Sequence, residues 1–303
     1  MRRRTAGKLL TAALLLAVTG CAGNDTPDSG DPPAAGGAPA ARTPARIVPL
    51  NGDIAEIVFA LGLGAEVVGV DTSATYPAEA GKLPKIGYQR QLSAEGILSL
   101  KPTVAIGTPE AGPPEVLEQV KQTGVQVHTV PVPTSLDAAA QRIRTVADQL
   151  GVGPAGQVLA ERTTAEITAA KATIPTGAAK PRVAFLYVRG ATTAMIGGAG
   201  TRADAMLAAA GATDTGTEAG VQGYKPITPE ALATARPDVL LLLDAGLASV
   251  GGVDGLLKLP GVAQTPAGQA KRIVSLDDQY LLGLGPRSGQ ALKDLITKLH
   301  PPS

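Results

Sequence analysis

Two Tyr-x-Arg pairs carry the most distinctive chemistry in the chain: Tyr88-Gln89-Arg90 and Tyr187-Val188-Arg189. A phenol has a pKa near 10, so it binds a cation through oxygen only with help in losing its proton. A neighbouring guanidinium favours the anion, which is then a hard oxygen donor. Residues two apart on a strand point to one face, so Arg189 falls beside Tyr187 if that segment is a strand. The chain holds only five Tyr, which gives two such pairs some weight. The competing readings are a core tyrosine for Tyr187 and a turn residue after Gly87 for Tyr88. Tyr224, after Val221-Gln222-Gly223, reads as a pocket wall or an alternative donor, and Tyr76, before Pro77, as a loop-packing residue. His128 lies in a strand-like run and reads as structural; His300, near the tail, reads as solvated. G-x-S-x-G, H-E-x-x-H and C-x-x-C are absent, and two His with one Cys argue against a multi-histidine or cysteine-based metal centre.

The elements that must position these residues read as α/β. Short aliphatic runs such as Ile47-Val48 and Val67–Val70 alternate with helical stretches such as Ile54–Leu61, the pattern of mainly parallel sheets. One unit occurs twice. Ser93-Ala94-Glu95 opens a helical stretch, followed by Pro102 and the strand-like Val104-Ala105-Ile106. Thr228-Pro229-Glu230 opens another, followed by Pro237 and Val239–Leu243. In each copy a hydroxyl can cap the helix and a Glu sits in the first turn, where the helix dipole favours it. Arg46-Ile47-Val48 is likewise echoed by Arg182-Val183-Ala184. Between the copies, residues 135–174 read as helical, with an interruption at Gly151–Gly156. The expectation is two similar α/β lobes with mainly parallel sheets, 46–134 and 175–299, joined by a long connecting helix within 135–174, with a tail at 300–303 and a ligand cleft between the lobes. Gly198-Ala199-Gly200-Thr201-Arg202-Ala203 matches a dinucleotide-type G-x-G-x-x-A, and reads instead as an anion site, a lobe-closure element or a plain strand-to-helix turn.

The N-terminus sets the compartment. Arg2, Arg3, Arg4 and Lys8 precede an apolar run, Leu9–Val18, which has the layout of an export signal and is too short to span a bilayer. It ends in Val18-Thr19-Gly20-Cys21, which resembles the bacterial lipobox. That resemblance implies cleavage after residue 20 and lipidation of Cys21, the single Cys of the chain. Residues 24–45 hold five Pro, three Gly and no Leu, Ile, Val, Met or aromatic residue, a composition for a tether rather than a core. The expected organisation is a signal at 1–20 and a lipidated Cys21 with tether over 21–45. The folded body would sit on the extracytoplasmic face of the cell membrane. With 27 basic and 26 acidic side chains the net charge is +1, which gives no footprint for nucleic acid.

These features together resemble the helical-backbone class of substrate-binding proteins, which deliver iron compounds and cobalamin to ABC importers. Within that class three strings are similar to the haem-binding members: Leu83 through Gly96, Phe185-Leu186-Tyr187-Val188-Arg189-Gly190, and Gly223-Tyr224-Lys225-Pro226. The segment Asp277–Arg287 also looks like the family's closing motif. The resemblance implies that Tyr88 and Tyr187 supply oxygen ligands to ferric haem from opposite lobes. It places Arg189, Arg90, Tyr224, Lys225 and Arg287 around the haem, the cationic side chains serving the phenolates or the propionates. Glu95 and Glu230 match the paired glutamates that dock on a permease dimer, itself coupled to an ATPase. Upstream haem-shuttling proteins are further candidate partners. The expected function is a haem receptor rather than an enzyme. The alternatives are a ferric-siderophore or cobalamin binder of the same class, a surface-anchored enzyme, or an interaction protein without a transport role.

Overall fold

The computed structural model describes residues 44–301 apart from 178 and 191. The signal, Cys21 and nearly all of the tether lie outside the described residues. The first lobe is built on a three-stranded parallel sheet with Val104–Gly107 in the middle, flanked by Ile47–Pro49 and Gln126–Thr129. Val67 bridges to Ile47 and Val70 to Lys85, so the second aliphatic run lies along the sheet without forming a full strand. Alternation along the strands sends Ile47, Val104 and Ile106 into one core, with Ile54 and Ile143. Val48 and Ala105 go into the other, with Ile97 and Val120. A parallel sheet must be covered on both faces, and the helices Gly52–Ala60 and Pro114–Gln122 help to do so.

The second lobe repeats the central pattern. Val239–Leu243, a run of Val and four Leu that is wholly buried, lies between Arg182–Arg189 and Ile273–Leu276, all parallel. The repeat inferred from sequence has matching registers: Ile47 faces Val104 in one lobe, and Val183 faces Val239 in the other. Even the strand-entry bonds correspond. Arg46 N donates to Thr103 Oγ1 at 2.9 Å, and Arg182 N donates to Asp238 Oδ2 at 3.2 Å. The helices Ala94–Leu98 and Pro229–Ala235 are capped as expected. Ser93 Oγ accepts from Gly96 N at 3.0 Å, and Thr228 Oγ1 accepts from Ala231 N at 3.1 Å.

The lobes also differ. The second sheet is mixed, because Thr193–Gly197 runs antiparallel to Arg182–Arg189 and Tyr224–Pro226 antiparallel to Thr193–Gly197. This extension is what carries part of the site. The connector holds two helices, Ala139–Gln149 and Gly153–Lys171, which fold back on one another. A Cβ at Gly156 would stand 2.2 Å from that of Ala147, so only glycine permits that approach. The C-terminal helix Ser288–Leu299 returns against the longer connector helix. There a Cβ at Gly289 would come within 2.4 Å of the Glu166 Cβ. Among the described residues no helix is long and apolar enough to cross a membrane.

Candidate functional site

A cavity of about 600 Å³ opens between the lobes, within the usual range for a small-molecule site. Tyr88, Arg90, Tyr187, Arg189 and Tyr224 all line it. The structure therefore brings together five of the seven residues expected around the ligand.

Tyr88 is presented by a small hairpin in which Gly87–Tyr88 pairs antiparallel with Gln91–Leu92. Buried Ile86 and Leu92 anchor its two ends, while Tyr88 itself is 41% exposed. Gly87 has φ of +101°, a conformation glycine adopts at no steric cost. Arg90 lies in the turn of this hairpin and pairs with Glu110 at 3.0 Å. On the other side, Phe185, Tyr187 and Arg189 share one face of the strand Arg182–Arg189. Phe185 is fully buried in the core, Tyr187 packs at the core's margin, and Arg189 stands beyond it. The Arg189 guanidinium lies over the Tyr187 ring, 4.7 Å from its centroid, and is held from behind by Asp278. The Tyr187 and Arg189 side chains thus meet on one face of this strand.

Tyr224 sits on the outer antiparallel strand opposite Gly197, with its ring 5.8 Å from Tyr187 and 6.3 Å from Phe185. Burial of its phenol pushes the pKa up to about 12, against a downward pull from Arg202. A wall role therefore suits Tyr224 better than an anionic one.

Two expected contacts need correcting. Lys225 is exposed and does not line the cavity, because successive residues on a strand point to opposite faces. Arg287 does not line it either. Its Nε and Nη2 donate to the two oxygens of Glu56 at 2.9 and 2.7 Å. The guanidinium also lies between the rings of Tyr76 and Tyr280, 3.6 and 4.9 Å from their centroids. It clasps the second lobe to the first. His128 lies on the sheet away from the cavity, and His300 is half-buried with Nε2 3.3 Å from Ala210 O, rather than solvated.

The cavity floor holds charges that sequence reasoning did not assign. Arg202 reaches from the second lobe to Asp53 at 3.0 Å and to Glu110 at 2.9 Å in the first. Asp53 is also paired with buried Arg142 at 2.6 Å, whose Nη1 donates to Gly283 O at 2.8 Å. Burial raises the Asp53 carboxyl, but the guanidinium groups of Arg142 and Arg202 outweigh it and hold the pKa below the usual range. Gln279 adds a second tie. Its Oε1 accepts from Thr75 N and Tyr76 N, and its Nε2 donates to Gly52 O at 2.8 Å. The signal for Arg202 was its place in the Gly-rich segment. There Thr201 caps the helix Arg202–Ala209 and Asp204 Oδ2 accepts from Gly200 N at 3.2 Å, so a carboxylate of the protein already occupies the loop. The cavity thus offers phenol oxygens for a hard cation, beside guanidinium groups that are each paired with a carboxylate.

Glu95 and Glu230 lie in the first turns of the two equivalent capped helices, and both are exposed.

Solved structures resemble this one closely. The periplasmic heme-binding protein RhuT from Roseiflexus sp. RS-1, in its apo form, matches with a TM-score of 0.83 at 54% identity, over 85% of this chain and 98% of that one. The periplasmic heme-binding protein BhuT, in complex with two hemes, matches with a TM-score of 0.79 at 45% identity, over 84% and 97%. The uncharacterized ABC transporter substrate-binding lipoprotein YvrC of Bacillus subtilis is 25% identical over 263 residues, 86% of this chain and 81% of that one. The Periplasmic binding protein family profile matches residues 47–280, and the chain belongs to that family.

Proposed function

We propose that the protein is an extracytoplasmic receptor that captures ferric haem between its lobes and delivers it to the permease of an ABC importer. The carrying observation is that one interlobe cavity is lined by Tyr88 from the first lobe and by the Tyr187–Arg189 pair from the second. Both solved relatives described above are named as heme-binding proteins, which supports the same reading.

Ferric haem, as cargo, brings a hard Fe(III) centre, an apolar porphyrin face and two propionates. Phenolate is a suitable donor to such iron, as in tyrosine-ligated catalase. Here Tyr187 and Tyr88 are the proposed oxygen ligands. Arg189 lies over the Tyr187 ring and packs it in place. Tyr224 and Met195 supply apolar wall, and Arg90 stands where it can meet an acidic substituent. Glu95 and Glu230, one on each lobe, are the proposed contacts with the permease, where exposed charge directs docking more than it adds affinity. Lipidation of Cys21 would keep the body at the membrane. The protein binds and hands over its ligand without transforming it.

Substitution of the ligating phenol tests this directly. With hemin bound, the absorption spectrum should show a Soret band and a charge-transfer feature of phenolate-bound ferric iron. Tyr187→Phe should lose or shift that feature; an unchanged spectrum at full affinity removes Tyr187 from the iron.

A further inference from the structure

Six charged side chains line the cavity: Asp53, Arg90, Glu110, Arg189, Arg202 and Asp278. Their formal charges cancel, and each guanidinium already faces a carboxylate. Arg189 pairs with Asp278, Arg90 with Glu110, and Arg202 with both Asp53 and Glu110. An acidic ligand entering this cleft meets no free positive charge. To gain one, it must displace a carboxylate that the protein supplies.

The two carboxylates on Arg202 are not equally displaceable. The Asp53 side chain is 7% exposed, is gripped by Arg142, whose side chain is 2% exposed, and accepts from Ile54 N at 2.9 Å. Pulling it from Arg202 would leave buried charge poorly compensated. Glu110 is different. Its side chain is 33% exposed, and it sits in the turn that follows the strand Val104–Gly107. One of its oxygens takes Arg202 of the opposite lobe, and the other takes Arg90, which is itself mostly exposed. Pairs this open to water are weakly held. Displacing the one carboxylate of Glu110 frees Arg90 and the Nη2 end of Arg202 at once, while Arg202 Nη1 stays on Asp53.

We infer that Arg202 is the carboxylate receptor of the cleft and that Glu110 is its resident stand-in, displaced when a ligand with two acidic arms binds across Arg202 and Arg90. The assignment rests on the haem reading, whose ligand carries two propionates on one edge. Glu110 then competes with an acidic ligand for these guanidinium groups and costs a neutral ligand little. The cleft takes up an acidic edge by this exchange.

Hemin and hemin dimethyl ester, in the same detergent, provide the test, titrated against the wild-type protein, Glu110→Gln and Arg202→Gln. Glu110→Gln lies on an exposed turn and removes the competitor while keeping the shape. It should bind hemin at least about 5-fold more tightly, with the diester changed by less than about 2-fold. Arg202→Gln should weaken hemin by about 10- to 100-fold, the worth of a charge-assisted bond, and leave the diester nearly unchanged. Unchanged or weaker hemin binding by Glu110→Gln overturns the assignment, as does an equal loss of acid and ester in Arg202→Gln. If the wild-type protein binds hemin without this pattern, only the exchange falls. If it binds neither compound, the haem reading falls with it.

Discussion

Replacing Arg287 by Met should unfold the protein at a lower temperature while leaving its cleft chemistry intact. The Arg287 side chain is 18% exposed, and that of its partner Glu56 6%. Both Glu56 oxygens accept from the guanidinium, and Gln279 Nε2, at 3.1 Å, is the further donor to that carboxylate. Breaking a buried pair from one side strands the other charge and costs about 3–5 kcal/mol. Loss of the stacking on Tyr76 and Tyr280 falls within that range. At roughly 2 °C per kcal/mol for a body of this size, Tm should fall by about 6–10 °C. Glu56→Gln added to Arg287→Met removes the stranded charge while keeping an acceptor for Gln279. The double variant should recover a large part of the loss. Thermal and urea unfolding would measure both, with an unchanged m value showing that the native fold is retained. Below the transition, the single variant should bind hemin with wild-type affinity, because Arg287 lies outside the cavity. A Tm change under about 2 °C, a double variant no better than the single one, or a large loss of hemin affinity would refute the clasp.

Two further outcomes are expected. Asp71 is fully buried, its Oδ1 has no hydrogen-bond partner among the described residues, and burial pushes its pKa up to about 6. The folded state therefore holds this proton more tightly than the unfolded state. Its stabilising effect is complete below about pH 4 and is lost as pH rises through about 6, a change of roughly 3 kcal/mol. Asp71→Asn should abolish that part of the decline, so the urea stability of the variant relative to wild type should rise between pH 4 and 7; a flat difference contradicts it. Charge reversal at both lobe tips, Glu95→Lys with Glu230→Lys, should leave hemin binding unchanged and depress the receptor-stimulated ATP hydrolysis of the importer in reconstituted vesicles. Full stimulation by the double variant would remove these glutamates from the interface.

The features legible in the sequence were local ones. The capped helices at Ser93 and Thr228 follow from a hydroxyl, a first-turn carboxylate and a trailing Pro, all within ten residues. The i, i+2 geometry of Tyr187 and Arg189 follows from strand period alone. What escaped was fixed by distant partners. Arg287 meets Glu56 across 231 positions, and Arg202 meets Glu110 across 92, so no local spacing reveals either pair. The resemblance implies a ligand contact for Arg287, whereas its charge is used between the lobes. The antiparallel extension through Tyr224–Pro226 was also hidden, because it is short and rich in Gly and Pro and carries no β-branched run. The connector folds back with Gly156 close against Ala147, an approach that the sequence marks only as an interruption.

In the proposed complex, phenol oxygens from the two lobes hold the iron of a haem. A spectrophotometric titration of the purified protein with hemin tests it most directly. The expected result is a saturable Soret band with the charge-transfer signature of phenolate-bound ferric iron, undiminished by excess cobalamin. A protein that stays spectrally silent with excess hemin, or whose binding is abolished by cobalamin, contradicts it.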